Sequence, residues 1–347
     1  MRFRPLCTVG TFAALSIAGF LILLAARAEP LRETEQAAAV TAFGKTLSES
    51  ERSAAIRTLE DPERTQWQFA RGPRPGLLLR DMDATTREAA LKVVECCLSE
   101  AGREQWRLIR VIEALNAQGE ANAGVTPPTY GADLYSVILF TTRGERAFAM
   151  QFEGHHFVLN IAGCDGVVTV TPAFTGAFPV AVASGPDAGK RPLGAAVEAA
   201  FALVASLDES QRATARILDG TPADVLFAVG ADAKAPDMRG VTRASMTPVQ
   251  QQLVDKLLAA HASLLDEEIA SNQLREWRKK YPDQLAFGFV GDADLAKPHY
   301  YRLTSPCFTI EYDCTNQDPN HVHCVWSDPN ENFGGDPLRA HLKQSHP

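Results

Sequence analysis

The sequence lacks an excess of positive charge, and it lacks the short motifs that mark several enzyme classes. Its 34 Lys and Arg residues are outnumbered by 42 Asp and Glu residues, which gives a net charge of −8, and no basic stripe indicates nucleic-acid binding. A G-x-S-x-G elbow, a phosphate-cradling glycine loop, an H-E-x-x-H helix and a C-x-x-C-H haem site are all missing. We therefore expect no nucleic-acid partner, no elbow-type serine hydrolase and no c-type haem.

The N-terminus is typical of an export signal. Two arginines precede an apolar stretch from Leu6 to Ala26, and a small-x-small cleavage site ends at Ala28. Residues 1–28 are therefore predicted to be a signal peptide, with the mature chain periplasmic or secreted and free of the membrane. The alternative is a retained membrane anchor, because the apolar run is long for a signal peptide. Cleavage would expose Glu29, which argues against a copper brace built on an N-terminal histidine.

Cysteine usage is compatible with an exported chain, because an even number lies outside the predicted signal. Cys314 and Cys324 flank the turn Asn316–Asn320 and could close it as a disulfide, whereas the adjacent Cys96 and Cys97 are expected to be two buried thiols. Their spacing matches no zinc ribbon. The six cysteines outside the signal are Cys96, Cys97, Cys164, Cys307, Cys314 and Cys324.

A weak internal repeat organises the 347 residues, of which 46% are hydrophobic. Leu47–Arg52 resembles Leu207–Arg212, and Phe148–Glu153 aligns with Phe308–Asp313 at the same offset. The pattern predicts an α+β fold of two diverged repeats, each a helical segment followed by an antiparallel β-meander, packed as one pseudo-symmetric unit. The predicted halves are residues 29–183 and 184–347. The alternative is that any two helix-then-strand segments look alike.

Periodicity and turn residues place the main elements within these halves. Val167–Thr171 is a β-branched strand, and Pro172–Pro179 is predicted to be a loop rich in turn residues and aromatics. Ser184–Arg191 is a linker. The predicted helices are Thr85–Leu98, Pro192–Leu207, Thr247–Ala262 and a short C-terminal one over Asp336–Gln344.

Half of the eight histidines lie in two clusters, each near the end of a strand-like run. Imidazole is the commonest metal ligand and the commonest acid or base near neutral pH. On a strand, His321 and His323 share one face, whereas the adjacent His155 and His156 face opposite sides unless the chain bends at Gly154. We expect His155 to face inward. The alternative is that exposed strands carry His-x-His without any ligand.

Carboxylates on the preceding strands complete the predicted site. Glu311 and Asp313 share a face, and two imidazoles with a carboxylate are a common shell for zinc or non-haem iron. Glu311 is predicted to be a fourth ligand or general base, and Asp328, in the acidic loop after the second cluster, is a second catalytic candidate. Zinc is the expected metal, with iron and copper as alternatives. The predicted metal ligands are His155, His156, His321 and His323.

Other candidates are a ligand-binding loop and four remaining histidines. Phe174, Thr175 and Phe178 lie in the predicted Pro172–Pro179 loop and are candidates for contacting a substrate or small ligand. The histidines expected to be structural are His261, His299, His341 and His346.

The two histidine motifs and the proline-bounded aromatic segment between them resemble the bacterial domain-of-unknown-function family numbered 3500. The resemblance covers nearly all of the mature chain and includes Gly154-His155-His156, Glu311, His321-Val322-His323 and Asp328-Pro329. Two departures are Asn320 where glycine is usual, and Phe333 in a tail where tyrosine is usual. The resemblance implies export and a shared histidine-rich site, and it implies no established activity.

Three functions remain open at this stage. The first is an exported metal-dependent hydrolase in which the metal lowers the pKa of a bound water. The second is a non-catalytic protein that holds a metal or small ligand in a groove between the repeats. The third uses the histidines as metal-free acid and base groups.

Overall fold

Side-chain caps define where the helices begin. Ser48, Asp208 and Thr247 each form a capping box, in which the cap side chain accepts a backbone N–H and the third helical residue bonds back to the cap. The computed structural model describes residues 34–141, 147–227, 237–335, 338 and 341–343. Its α-helices are α1 Glu35–Thr46, α2 Glu49–Ala55, α3 Ala84–Glu95, α4 Glu100–Asn122, α5 Gly194–Ser206, α6 Glu209–Ala215, α7 Pro248–Ala262 and α8 Glu267–Lys280.

One mixed sheet connects the two parts of the chain. Its strands are β1 Ile56–Arg57, β2 Leu77–Leu78, β3 Ser136–Thr141, β4 Phe148–Gly154, β5 Phe157–Cys164, β6 Val167–Ala177, β7 Val241–Thr242, β8 Ala286–Gly291, β9 His299–Thr304, β10 Thr309–Cys314 and β11 Val322–Ser327. The strand order is β1-β3-β4-β5-β6-β11-β10-β9-β8-β7, with β2 paired to β3. Strands β3–β6 and β8–β11 are two antiparallel meanders, and the antiparallel pair β6·β11 joins them.

The two faces of the sheet bury different chemistry. The main apolar core packs helices such as α4 and α7 against one face. The opposite face is also buried but carries polar side chains, among them Gln151, Glu153, Glu311 and Asp313. Because successive strand residues alternate between faces, Ile310 and Tyr312 lie in the main core while their neighbours do not. The α+β class predicted from the sequence is confirmed.

Two expectations need correction, and two others fall outside the described residues. The segment predicted as the loop Pro172–Pro179 is strand as far as Ala177, because β6 pairs with β5 on one side and β11 on the other. The six cysteines that the structure describes are buried and none of them forms a disulfide, so Cys314 and Cys324 are not joined. The predicted signal peptide and most of the C-terminal helix Asp336–Gln344 lie outside the described residues.

Among the residues that the structure describes, no helix combines the length and the apolar character that crossing a bilayer requires.

Candidate metal centre

The first two histidines form a tight hairpin turn between β4 and β5. Gly154 pairs with Phe157, so His155 and His156 are the two turn residues, and His156 has a left-handed φ of 64°. The alternation expected for a strand therefore does not apply, and the two rings lie 3.6 Å apart between centroids. Gly154 is required because a Cβ there would lie 1.9 Å from the ring of Tyr135. The turn thus directs both imidazoles to one site.

His321 joins them from the hairpin between β10 and β11. The turn is shaped by Asp318, whose carbonyl accepts the His321 N–H and whose carboxylate accepts the Asn320 N–H. The Nε2 atoms of His156 and His321 lie 3.1 Å apart. One ligating atom from each of His155, His156 and His321 lies within 4.8 Å of the other two. Two hairpins from different parts of the sheet therefore bring three imidazoles together.

The distance between the His156 and His321 nitrogens suits a single transition-metal ion. Two nitrogens bound at about 2.05 Å to a tetrahedral metal lie about 3.3 Å apart. The observed 3.1 Å between the His156 and His321 nitrogens is close to that value, and it also allows a hydrogen bond between neutral rings. Within the described part of the chain, the group contains three histidines and no fourth donor.

Glu113 orients two of the three rings from α4. Its Oε1 lies 2.9 Å from Nδ1 of His155 and 3.2 Å from Nδ1 of His156, and its side chain is only 2% exposed. A carboxylate on Nδ1 fixes that nitrogen as the donor and leaves Nε2 as the free ligand atom, which is the usual outer-shell arrangement of metal-binding histidines. Glu113 therefore preorganises the turn for metal binding.

Burial keeps the imidazoles neutral. Desolvation, together with nearby positive groups, lowers the pKa of His155 to about 3 and that of His321 to about 4. The pKa of the enclosed His156 is also well below its usual value. Burial raises the pKa of Glu113 to about 8, against the opposing effects of a backbone hydrogen bond and nearby arginines. Neutral imidazole is the form that binds metal ions.

The fourth predicted ligand, His323, stands beside the group with a partner of its own. Its Nδ1 lies 2.8 Å from Oδ1 of Asp224, and its ring centroid is 4.7 Å from that of His321 and 5.5 Å from that of His156. Burial would raise the pKa of Asp224, but the hydrogen bond and charge of His323 hold it below its usual value. His323 and Asp224 thus form an imidazole–carboxylate pair next to the three grouped histidines.

Gly176 on β6 makes room for this arrangement. A Cβ there would lie 2.7 Å from Cδ2 of His156 and 2.9 Å from Cδ2 of His323, and the Gly176 N–H donates to the His156 carbonyl at 2.8 Å. Each Cδ2 is bonded to Nε2, so the free edges of the two rings border the same space. Any larger residue would displace one ring.

Glu311 lies on the same face of the sheet but contacts other groups. Its carboxylate accepts the N–H groups of Leu226 and Phe227 at 3.0 and 2.8 Å and the Tyr300 hydroxyl at 2.5 Å. Burial raises the pKa of Glu311 to about 7. These contacts hold in place the segment that carries Asp224, so Glu311 indirectly stabilises the pair of His323 and Asp224. A role as ligand or general base stays a prediction without a supporting contact.

The structure separates Asp328 from the histidines. It follows the far end of β11, five residues beyond His323, which is about 17 Å at strand spacing. Its Oδ1 accepts the N–H groups of Asn330 and Glu331 at 2.9 and 3.2 Å, as in a turn cap. Its observed contacts are therefore those of a structural residue.

The three residues of the predicted ligand loop diverge. Phe174 lies on β6, where its ring packs 5.0 Å from His323, and Phe178 lies just beyond the strand, 5.0 Å from His321. Thr175 faces the helix side of the sheet, because it pairs with Cys324 rather than with His323. Phe174 and Phe178 therefore border the histidines, and Thr175 does not.

Two of the histidines expected to be structural have ordinary hydrogen-bond partners in the interior. His261 contacts the Tyr301 hydroxyl at 3.1 Å, and His299 contacts the Lys297 carbonyl at 2.8 Å. His346 lies outside the described residues.

Sequence reasoning missed the two carboxylates that hold the imidazoles. Glu113 occupies a buried position of α4, four residues after Ile109 and seven after Trp106, and an acid on an apolar helix face is the signal that could have identified it. Asp224 lies in a segment without regular structure, 99 positions from His323, and carries no comparable signal.

Comparison with known proteins gives a family and no nearer relative. No curated protein and no solved structure matches the chain significantly. The family described as a protein of unknown function, DUF3500, matches residues 30–335. Both hairpins that carry the histidines, and both carboxylates that orient them, lie inside the matched region. The chain therefore belongs to the DUF3500 family.

Proposed function

We propose that the protein is an exported, metal-dependent hydrolase with one divalent ion, zinc, bound by His155, His156 and His321. The observation that carries this proposal is the convergence of three neutral imidazoles within 4.8 Å, two of them oriented through Nδ1 by one buried carboxylate. Three protein ligands with a further position open is the usual arrangement of catalytic zinc, whereas structural zinc has four.

The surroundings of the three histidines supply the groups that hydrolysis needs. A zinc ion with three imidazole ligands lowers the pKa of a water at its open position. His323, which Asp224 holds through Nδ1, keeps Nε2 available to accept or deliver a proton beside that position. This pair resembles the imidazole–carboxylate part of hydrolytic triads in its division of roles.

Half-exposed aromatic rings border the same histidines and favour a substrate with an apolar or ring-shaped part. Phe69 lies 5.1 Å from His323, Tyr130 lies 5.2 Å from His155, and Phe178 lies 5.0 Å from His321. Rings of this kind bury apolar surface while leaving the metal reachable. The proposed substrate is therefore a small molecule.

The second candidate function is metal binding without catalysis. It is favoured by the position of His323, whose ring lies only 4.7 Å from His321. A small rotation that released Asp224 would make His323 a fourth ligand and close the shell, as in structural or storage sites.

Metal content is the first test of the proposal. The protein is purified without a histidine tag, and zinc, iron and copper are measured per chain by plasma mass spectrometry. We expect about one zinc per chain, lost in His321→Ala and retained in His341→Ala, which removes a partly exposed histidine elsewhere. A wild type that takes up no stoichiometric metal, even after incubation with zinc, would contradict the proposal.

His323 distinguishes hydrolase from storage protein. If the shell has three ligands, His323→Ala keeps the zinc and loses turnover of ester or amide substrates. If the shell closes with four, the same variant binds zinc more weakly by at least tenfold, because a ligand is gone. Turnover that survives in His323→Ala would contradict the proton-transfer role.

Export and duplication are further parts of the proposal. From α5 to β11 the chain forms two helices, a short strand, a 3-10 turn, two helices and four strands. The part from α1 to β6 has the same order with one additional short strand and 3-10 turn after its second helix, which supports two diverged repeats. N-terminal sequencing of the protein from the culture medium or periplasm tests export. The expected first residue is Glu29, and an intact Met1 would contradict cleavage.

A further inference from the structure

A cavity of about 230 Å³ lies on the helix side of the sheet, behind the strands that carry the histidines. It is enclosed by α4, the start of α5, the end of α7 and strands β6 and β11. Thr175 and Cys324 line it, whereas their neighbours Gly176 and His323 face the opposite side. The sheet therefore separates this cavity from the candidate metal centre, and the proposed function does not use it.

Two hydrogen-bond donors at the cavity have no acceptor. Trp326 is 4% exposed, and its Nε1–H has no partner. One terminal nitrogen of Arg191 is also buried without a partner. Among the described side chains that line the cavity, these are the buried polar atoms left unpaired, and both are donors. Unpaired buried donors are costly, so the site calls for an acceptor.

The charge of Arg191 is also poorly compensated. Its ion pair is with Glu198, whose side chain is 65% exposed, and pairs with so exposed a partner contribute little. The acid that lines the cavity, Glu104, is already engaged by Arg107 through two contacts of 2.7 and 2.8 Å. A guanidinium with a free donor beside a cavity favours a carboxylate, which matches its planar geometry.

His261 also lines the cavity but carries no charge near neutral pH, so Arg191 is the cationic group there. Its Nε2 contacts the Tyr301 hydroxyl, and its Nδ1 lies 3.6 Å from the Cys324 sulfur. Burial lowers the pKa of His261 to about 4, so the ring is neutral near pH 7.

The remaining walls are apolar, and the cavity volume is large enough for a small ring. Alanines and leucines form much of the lining, including Ala173, Ala260 and Leu264. A cavity of about 150 Å³ with apolar walls is known to hold benzene. The larger volume here leaves room for a ring with one carboxylate attached.

We propose that this cavity is a second ligand site, which binds a small organic carboxylate with a compact apolar body. The carboxylate pairs with Arg191 and accepts the Trp326 N–H, and the apolar part contacts the alanine-lined wall.

The test compares benzoate with benzamide, its neutral analogue of nearly the same shape. Binding is measured by isothermal titration calorimetry and by ligand-observed NMR on the full mature chain. We expect benzoate to bind with 1:1 stoichiometry and at least tenfold more tightly than benzamide, because only benzoate makes the charge-assisted pair. Equal affinity for both, or no saturable binding of benzoate, would overturn the proposal.

Three variants locate the binding. Arg191→Met should weaken benzoate at least tenfold and leave benzamide nearly unchanged, whereas Arg212→Met, an exposed arginine on α6, should change neither. Ala260→Leu should fill the cavity and abolish the binding of both benzoate and benzamide. Thermal unfolding checks that each variant is folded. If Ala260→Leu does not fold, the comparison of Arg191→Met with the wild type is sufficient for the test.

A carboxylate can also bind zinc, so the metal centre needs its own control. His321→Ala removes a proposed metal ligand on the other side of the sheet and should leave benzoate affinity unchanged. Benzoate binding that disappears in His321→Ala but persists in Arg191→Met would place the ligand at the metal and refute the second site. Failure of the metal proposal leaves this experiment interpretable, because the metal-free chain is sufficient for it.

Discussion

Glu113 offers the sharpest test of the proposed centre, because a single oxygen of its side chain serves two of the three ligands. Its Oε1 contacts Nδ1 of both His155 and His156. In Glu113→Gln the amide oxygen can still accept from these donors, but the side chain can no longer take on the negative charge that a bound cation would favour. The variant therefore keeps the shape of the site and weakens its hold on the two rings.

The expected loss of zinc affinity follows from this geometry. Replacing one outer-shell partner typically costs 10–100-fold in metal affinity. Because one carboxylate supports two ligands here, we expect the upper part of that range, about 30–100-fold, or roughly 2–3 kcal/mol. The fold should not suffer, because burial raises the pKa of Glu113 to about 8, so the carboxyl of the metal-free chain is largely neutral near pH 7 and the amide replaces it without loss of a charge. Metal affinity should fall while the stability of the metal-free chain stays equal or rises.

Competition with a chromophoric zinc chelator measures the affinity, and thermal unfolding of the metal-free proteins measures stability. Glu153→Gln is the matched control: burial also raises the pKa of Glu153 to about 8, and it contacts none of the three histidines through a described hydrogen bond. Unchanged affinity in Glu113→Gln, or an equal loss in Glu153→Gln, would refute the orienting role.

Three further outcomes follow from the structure. Gly176→Ala should weaken zinc binding at least tenfold, because its Cβ would lie 2.7 and 2.9 Å from two histidine rings. Gly119→Ala is the control: a Cβ there meets nothing within 4 Å, so the substitution should be neutral or raise the free energy of unfolding by up to about 1 kcal/mol. Equal effects of the two substitutions would contradict this prediction. Burial raises the pKa of Glu311 from 4.5 to about 7, so its stabilising contribution is present below pH 4.5 and is lost as the pH rises through 7, by about 3 kcal/mol at most. Denaturant unfolding across pH 4.5–8 should therefore show a flatter profile for Glu311→Gln, and parallel profiles would argue against a neutral Glu311. Thiol titration of residues 29–347 in denaturant without reductant should find all six cysteines as thiols, and four or fewer would indicate a disulfide.

Local signals in the sequence predicted α3, α5 and α7 and the strands that precede the two histidine clusters, but not the long helices α4 and α8. Thr247, three residues before Gln250, marks the start of α7 as a capping box, and the alternation around Glu311 places it correctly on a strand face. The extent of β6 was not predictable locally, because the turn-like composition of Pro172–Pro179 is overridden by pairing with strands on both sides. Strand pairing is a tertiary effect that composition alone does not determine.

The candidate site was predictable in its histidines and not in its geometry. Adjacent histidines converge only because they occupy a two-residue turn, in which His156 adopts a left-handed φ. The partners of the rings come from distant segments: Glu113 is 42 positions from His155. A single sequence carries no information about such contacts beyond the presence of an acid on an apolar helix face.

The pairing of β6 with β11 also determines when the centre can form during folding. His156 and His321 are 165 positions apart, and the strands that bring their hairpins together belong to separate meanders. Contacts at such sequence distance require closing a long loop and form slowly. The ligands therefore meet only after both meanders have folded and joined. We expect a refolding chain to acquire zinc in its slowest phase, so that metal uptake reports completed assembly of the sheet.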